Sequence, residues 1–259
     1  MDLYLKDKVV IVTGGTKGIG AGIVKSMANE EAIVVIVNRQ GEEGPIMEQE
    51  LREQGKKVHY IAAELSIEEE CKRVIDETVK EYGTIDVIIN NAGFNDQKGL
   101  STPPDIFMQG MQNNLIHYYA LVHYAHDYLI KSHGSIVNIG SHVSITGQGH
   151  TSAYVAAKGA ISGLTREWAA YFCDKDVNVN CAVPGSVWTS SYERWAKSFP
   201  DPDARRALAA RNVPYGRRMT TVEEFADTVV FMASGRATHL TGEIIVCDGG
   251  YSRLDRVLT

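Results

Sequence analysis

A tyrosine and a lysine stand four positions apart in the stretch "SAYVAAKGA", as Tyr154 and Lys158. On a helix, residues i and i+4 share a face, so both side chains can address one site. A free tyrosine, with a pKa near ~10, is a poor base at neutral pH. A nearby ammonium favours the tyrosinate and tunes such a phenol for taking or giving a proton. The pair is therefore a candidate acid/base device. Ala153, Ala156, Ala157 and Gly159 surround it. Their small size predicts close packing of this helix against its neighbours.

A second stretch, "TGGTKGIG" from Thr13 to Gly20, follows the apolar run "VVIVT" and opens a helical segment. A glycine-rich strand-to-helix turn brings backbone N–H groups and a helix N-terminus against the phosphates of a dinucleotide. Gly14 suits the tight turn, and Gly18 and Gly20 permit close approach of ligand and helix.

These segments need elements to hold them. Seven short apolar runs recur: "VVIVT", "IVVIV", "VHYIA", "IDVIIN", "GSIVNIG", "VNVNCAV" and "EIIVCD". Runs that are apolar throughout suit strands buried on both faces of a parallel sheet. Helical spacing fills the gaps between most of them. From Ile67 to Tyr82, for example, Ile67, Cys71, Val74, Ile75, Thr78 and Val79 share a face. The alternation predicts an α/β chain: one Rossmann-type domain over 1–259, with a doubly wound parallel sheet of about seven strands and helices on both faces. The segment at about 186–215 departs from alternation. Its helical pieces are expected to break at Pro200, Pro202 and Pro214, and its place after a strand suits it to cover a ligand.

Bulk properties exclude several classes. The chain has 259 residues and a formal charge of −6, with no basic cluster, which argues against nucleic acid and anionic membrane as partners. Cys71, Cys173, Cys181 and Cys247 are widely spaced, so they read as reduced, mostly buried thiols. No apolar run approaches a membrane span, and "MDLYLKDK" does not look like a secretory leader. A cytoplasmic protein is expected. His117, His123 and His126 lie on one predicted helix, but no HExxH pattern accompanies them, so no metal is expected.

The spacing TGxxxGIG, together with "NNAG" at Asn90 to Gly93, the YxxxK pair, "PGSVWT" at Pro184 to Thr189 and "TGEIIVCDGG" at Thr241 to Gly250, resembles the short-chain dehydrogenase/reductase family. The motifs are in family order and span nearly the whole chain. The resemblance implies catalytic roles for Tyr154, Lys158, Ser141 and Asn114. Ser141 would hydrogen-bond the reacting oxygen. Asn114 would stabilise a helix distortion and hold a water linked to Lys158. It also implies that Gly14, Thr16, Lys17, Gly18, Ile19, Gly20, Glu64, Leu65, Asn91, Gly93, Pro184, Gly185, Val187 and Thr189 line a nicotinamide cofactor, with Tyr154 and Lys158, and the positive charge of the oxidised nicotinamide then favours the tyrosinate beside the Lys158 ammonium. Asn38 stands where NAD-preferring members usually carry an acid, and Arg39 follows it. Asparagine does not repel a 2′-phosphate, and Arg39 and Lys17 can pair with one, so NADP is favoured with NAD use possible.

Further stretches are similar to bacterial sugar dehydrogenases, L-fucose dehydrogenases among them: "NNLIHYYALVHYAH", "TGQGHTSAY", "LTREWAA", "PYGRRMTT" and "DGGYSRLDRVL". That similarity implies oxidation of a pyranose at its anomeric carbon, and a homotetramer. Asn95, Asp96, His142, Gln148 and His150 can supply polar contacts to a sugar. Trp188, Tyr192 and Trp195 can supply a flat apolar wall, or simply pack the covering segment onto the body. Tyr251, Arg253 and Arg256 in the tail can close a pocket or support subunit contacts. The alternatives are a ketoacyl or steroid reductase of the same fold, or a nucleotide-sensing non-enzyme. The complete Ser141, Tyr154 and Lys158 set argues against the latter.

Overall fold

The apolar runs form β1 (Val9–Thr13), β2 (Ile33–Asn38), β3 (Val58–Ala62), β4 (Val87–Asn90), β5 (Ser135–Ile139), β6 (Asn178–Pro184) and β7 (Ile244–Cys247). All pair in parallel, in the order β3-β2-β1-β4-β5-β6-β7. This computed structural model describes residues 1–255. The fourth strand starts later than the apolar run because Asp86 has other work. Its carboxylate accepts from the Val9 N–H at 2.9 Å and from Lys8 Nζ at 2.9 Å, bracketing the start of β1.

Both sheet faces are covered, which is why apolar residues occupy both faces of the strands. Helices α1 (Gly18–Asn29), α2 (Glu43–Glu53) and α10 (Val222–Ala233) bury Ile23, Met47 and Phe225 against one face. Helices α3 (Glu68–Tyr82), α5 (His117–Ser132) and α7 (Ser152–Phe172) bury Val74, Leu121 and Trp168 against the other. Along β1, Val9 and Ile11 join the second cluster and Val10 and Val12 the first, the two-residue period of a strand. Burying each such side chain contributes ~1.5–3 kcal/mol.

Strand order reverses between β1 and β4. At that point the chains leaving the strand ends diverge and open a crevice at their carboxyl ends. The loops after β1, β4, β5 and β6 all meet there.

Four local expectations are corrected. Ile67 is 47% exposed, because it caps α3 from outside its first turn; Cys71, Val74, Ile75 and Thr78 carry the buried face. Cys71 and Cys181 are buried, but Cys173 is exposed just beyond α7. Gly159 faces open space; the close approach of α7 is instead at Ala153, whose Cβ would lie 2.5 Å from a Cβ on Gly110. Pro202 opens a helix rather than breaking one. It is the first residue of α9 (Pro202–Arg211), after α8 (Ser190–Lys197), where a missing N–H costs nothing.

Candidate active site

The glycine turn is built so tightly that only glycine fits. Gly14 and Gly18 have φ of +63° and +54°. A Cβ on Gly20 would stand 2.1 Å from the Gly14 carbonyl oxygen. Thr13 ties this turn to the segment after β4: the N–H groups of Asn91 and Ala92 both donate to its hydroxyl at 2.9 Å. The Asn91 amide donates to the Thr13 carbonyl at 2.8 Å and to that of Gly14 at 3.3 Å, so this side chain braces the loop from beneath. Helix α1 begins at Gly18 with no side-chain cap and no acidic residue in its first turn. Its free N–H donors and the aligned peptide dipoles suit a phosphate group. A Cβ on Gly18 would meet Thr189 Cγ2 at 3.3 Å, so Thr189 closes over the turn from the far side. Gly20→Ala is expected to displace α1 and weaken dinucleotide binding at least tenfold, read by fluorescence titration with reduced cofactor.

At the end of β2 the Asn38 amide donates to the Thr16 hydroxyl at 2.6 Å. Arg39 is exposed, and its carbonyl accepts from the Tyr60 hydroxyl at 2.9 Å. Lys17 is paired with Glu43 at 2.5 Å. Glu64 is exposed and its carboxylate accepts from the Ser66 N–H and hydroxyl, while Leu65 is buried beside it. Ile19 packs against the α1 side of the core.

The candidate acid/base group is assembled from four elements. Between α4 (Pro104–Met111) and α5 lies one π-helical turn, Gln112–Ile116. Asn114 sits in it, buried. Its amide donates to the Gly110 carbonyl at 3.0 Å, and its oxygen accepts from the Phe94 N–H at 2.8 Å. Such a bulge frees main-chain groups at a functional position. Gly93 allows the approach: a Cβ there would be 2.8 Å from the Asn114 oxygen and 3.7 Å from Lys158 Nζ. Ser141 lies between β5 and the short helix α6 (Val143–Thr146) and is buried. Tyr154 and Lys158 do share one face of α7, with Lys158 Nζ 5.7 Å from the Tyr154 ring centroid.

Burial governs the electrostatics of the pair. Burial raises the Tyr154 phenol above its ordinary value, and the hydrogen bond with Ser141 only partly opposes this. Burial pushes the Lys158 ammonium down to about 8. In the protein alone, therefore, Tyr154 is a protonated phenol. Burial penalises both the phenolate and the ammonium, so the tyrosinate expected from the sequence rests on the Lys158 ammonium and the positive charge of an oxidised nicotinamide together.

The family profile described as enoyl-(acyl carrier protein) reductase matches residues 14–252. An L-fucose dehydrogenase of Bos taurus is 38% identical over 245 residues, which is 94% of this chain and 88% of that protein. The solved structure described as Cj0485 dehydrogenase superposes with a TM-score of 0.96 at 41% identity, covering 100% of this chain and 99% of that one. The ligand-free aldohexose dehydrogenase of Thermoplasma acidophilum gives a TM-score of 0.88 at 30% identity, covering 98% of each chain. The chain belongs to the short-chain dehydrogenase/reductase family. It is an oxidoreductase of that type, with a site that fits a nicotinamide dinucleotide.

Around this short-chain dehydrogenase centre the remaining expected residues separate into groups. His142 is held by Pro184, whose carbonyl accepts from its backbone N–H at 3.1 Å and faces its Nδ1 at 3.3 Å. Tyr251 stands edge-on to the His142 ring at 5.3 Å. Asp248, at the end of β7, accepts from Gly250 and Ser252 and folds this part of the tail back toward the site. Arg256 lies outside the described residues. Asn95 donates to Gln148 at 3.3 Å, joining the loops after β4 and before α7. Gly185 permits close approach to Asp248, with a Cβ 2.5 Å from its Cβ. Val187 is buried and bridges Thr220, and Thr189 caps α8 by accepting from the Tyr192 N–H. Trp188, Tyr192, Trp195 and Phe199 form a continuous row, with centroids 5.8, 4.8 and 5.0 Å apart. Arg206 lies over Trp188 at 4.2 Å, so one indole face is already occupied.

The histidines are engaged in ordinary packing. His117 is buried against the Ala92 carbonyl at 3.1 Å, His123 stacks on Tyr119, and His126 contacts Asp127 and Tyr171. Among the described residues, no cluster of three or more His, Cys, Asp or Glu could hold a metal, and no helix is long and apolar enough to cross a membrane.

Three residues of this site escape a reading of the sequence. Glu43 pairs with Lys17, Tyr118 bonds Lys158, and His117 lies beneath the "NNAG" segment. The one available signal was spacing: Tyr118 is four positions beyond Asn114 and so shares its face.

Proposed function

We propose that this protein oxidises the anomeric hydroxyl of a pyranose such as L-fucose to the lactone, with NADP preferred over NAD. The convergence of Ser141, Tyr154 and Lys158 carries this reading, and Asn95, Gln148 and His142, from the loops after β4 and β5, are the polar contacts proposed for the sugar. The L-fucose dehydrogenase and aldohexose dehydrogenase relatives support a sugar over a ketoacyl or steroid substrate. The segment at about 186–215, with its aromatic row, covers the bound sugar, and the enzyme works as a cytoplasmic homotetramer.

The bound nicotinamide supplies the acceptor for the hydride leaving C1. The chain does the rest. Ser141 donates to the sugar's O1 and fixes its direction. In its tyrosinate form, favoured by the Lys158 ammonium and the positive charge of an oxidised nicotinamide, Tyr154 takes the O1 proton as the C1–O bond becomes a carbonyl. Lys158 stabilises the charge that Tyr154 carries in that process. Asn114 and Gly93 hold the π-helical turn against Lys158.

Cofactor preference turns on opposing charges. Arg39 is an exposed cation beside Asn38, which carries no charge to repel a 2′-phosphate. Glu43 acts the other way by holding Lys17. Arg39→Ala is expected to lower kcat/KM with NADP about tenfold, the scale of one charge-assisted hydrogen bond, and to leave NAD within about twofold. Equal losses with both cofactors would remove Arg39 from the phosphate site. Initial rates with L-fucose, D-arabinose and L-galactose, each with both cofactors, test the substrate reading. Rapid reduction of ketones without turnover of any aldose would overturn it.

A further inference from the structure

An ammonium has three N–H donors. Lys158 directs one to the Ile139 carbonyl at 2.8 Å and one to the Tyr118 hydroxyl at 2.9 Å. The Tyr118 hydroxyl in turn donates to the same Ile139 carbonyl at 3.1 Å. The three groups close a triangle at the root of the site. Within it the phenol's proton is committed to Ile139, so its lone pair must face the ammonium. The third N–H of Lys158 is left for the Tyr154 side. Tyr118 is fully buried, and its ring centroid lies 5.0 Å from Nζ.

The geometry points to Tyr118 as a positioning residue for the proposed dehydrogenation: its hydroxyl anchors the Lys158 ammonium beneath Tyr154 and helps keep it charged. This rests on the acid/base roles of Tyr154 and Lys158, and not on which sugar is oxidised. The titratable groups around the ammonium are Tyr154 on its own helix, Tyr118 and His117 from α5, and Cys181 from β6. None is a carboxylate. The charge is therefore held by neutral oxygens, in a site where burial already brings the lysine down to about 8. His117 adds no rival charge at neutral pH, since burial first, and Lys158 among lesser causes, bring it to about 4. With so little else favouring the charged form, one lost acceptor has a large effect.

Tyr118→Phe keeps the ring, the packing and the ring–ammonium contact, and removes only the oxygen. Protein labelled with [13Cε]lysine, with the resonance assigned through Lys158→Met, reports the ionisation directly. The Lys158 midpoint is expected to fall by about one pH unit in the Phe variant, as suits the loss of one hydrogen bond to a charged group. The limb of the kcat/KM profile for oxidation that reports loss of the Lys158 charge is expected to move acid by a similar amount. Turnover then falls only about twofold at pH 7, where the charged fraction of Lys158 drops from about nine-tenths to about one-half, and the gap widens toward about tenfold above pH 8. An unchanged Lys158 midpoint, or a rate loss equal at every pH, would reduce Tyr118 to a packing residue and overturn the proposal. If the unaltered protein turns over no aldose, the substrate reading fails, while the lysine titration still decides the role of Tyr118.

Discussion

Tyr154→Phe lowers kcat for sugar oxidation by about 10²–10⁴-fold, the range for loss of a positioned general base. The affinity for the dinucleotide stays within about threefold. The substitution removes only a hydroxyl from a ring whose helix, α7, is packed through Ala153, Ala157 and Ile161. Ser141 remains to bind the sugar's O1 but cannot replace a base, since its hydroxyl ionises with much greater difficulty than a phenol's. The pH dependence sharpens the expectation. Burial raises the phenol of Tyr154, so the unaltered enzyme gains oxidation rate as the solution becomes more alkaline. The Phe variant loses that rise. Stopped-flow and steady-state rates from pH 6 to pH 10 check both. A Phe variant that keeps its rate would leave the protein a dinucleotide binder without acid/base chemistry.

Lys158→Met is expected to cost about 10²-fold or more in turnover and to make the protein more stable at neutral pH. Burial has lowered the folded-state value of this lysine from 10.5 to about 8. The folded chain therefore holds that proton less tightly than the unfolded chain does. Below pH 8 the buried ammonium disfavours the fold by about 3 kcal/mol, at ~1.4 kcal/mol per pH unit. That penalty fades as pH rises from about 8 to 10.5, because the folded lysine is then neutral while the unfolded one is still shedding its proton. Methionine is neutral throughout and similar in length. It also leaves the Ile139 carbonyl and the Tyr118 hydroxyl short of a donor, which returns about 1–2 kcal/mol. A net gain of about 1–2 kcal/mol at pH 7 corresponds to a Tm roughly 2–6 °C higher for a chain of this size. By pH 10.5 the gain disappears. Thermal melts of both proteins at pH 7 and pH 10 test this. A Met variant that melts lower at pH 7 would show that the two hydrogen bonds outweigh the buried charge.

The sheet could be read from the chain because strands covered on both faces leave an unbroken apolar record, as in Ile33–Asn38 and Val87–Asn90. Tyr154 and Lys158 could be read because helical periodicity alone joins them. Residues that meet through tertiary packing left little trace. Tyr118 reaches Lys158 across 40 positions, and Lys17 meets Glu43 only because the glycine turn and the start of α2 converge. The raised phenol of Tyr154 was hidden for the same reason: a sequence shows an adjacent ammonium but not the depth at which both groups lie. Pro202 and Ile67 mark a smaller limit, since the first position of a helix and its outer cap tolerate residues that the interior or the core-facing side would not.

The central claim is that C1 of the sugar gives up its hydrogen while Tyr154 takes the proton from O1. Oxidation of L-fucose carrying deuterium at C1 tests it most directly. Transfer of the label to the nicotinamide ring, with a primary isotope effect on kcat/KM and appearance of the lactone, is the expected result. Turnover without transfer of the C1 label would contradict the account.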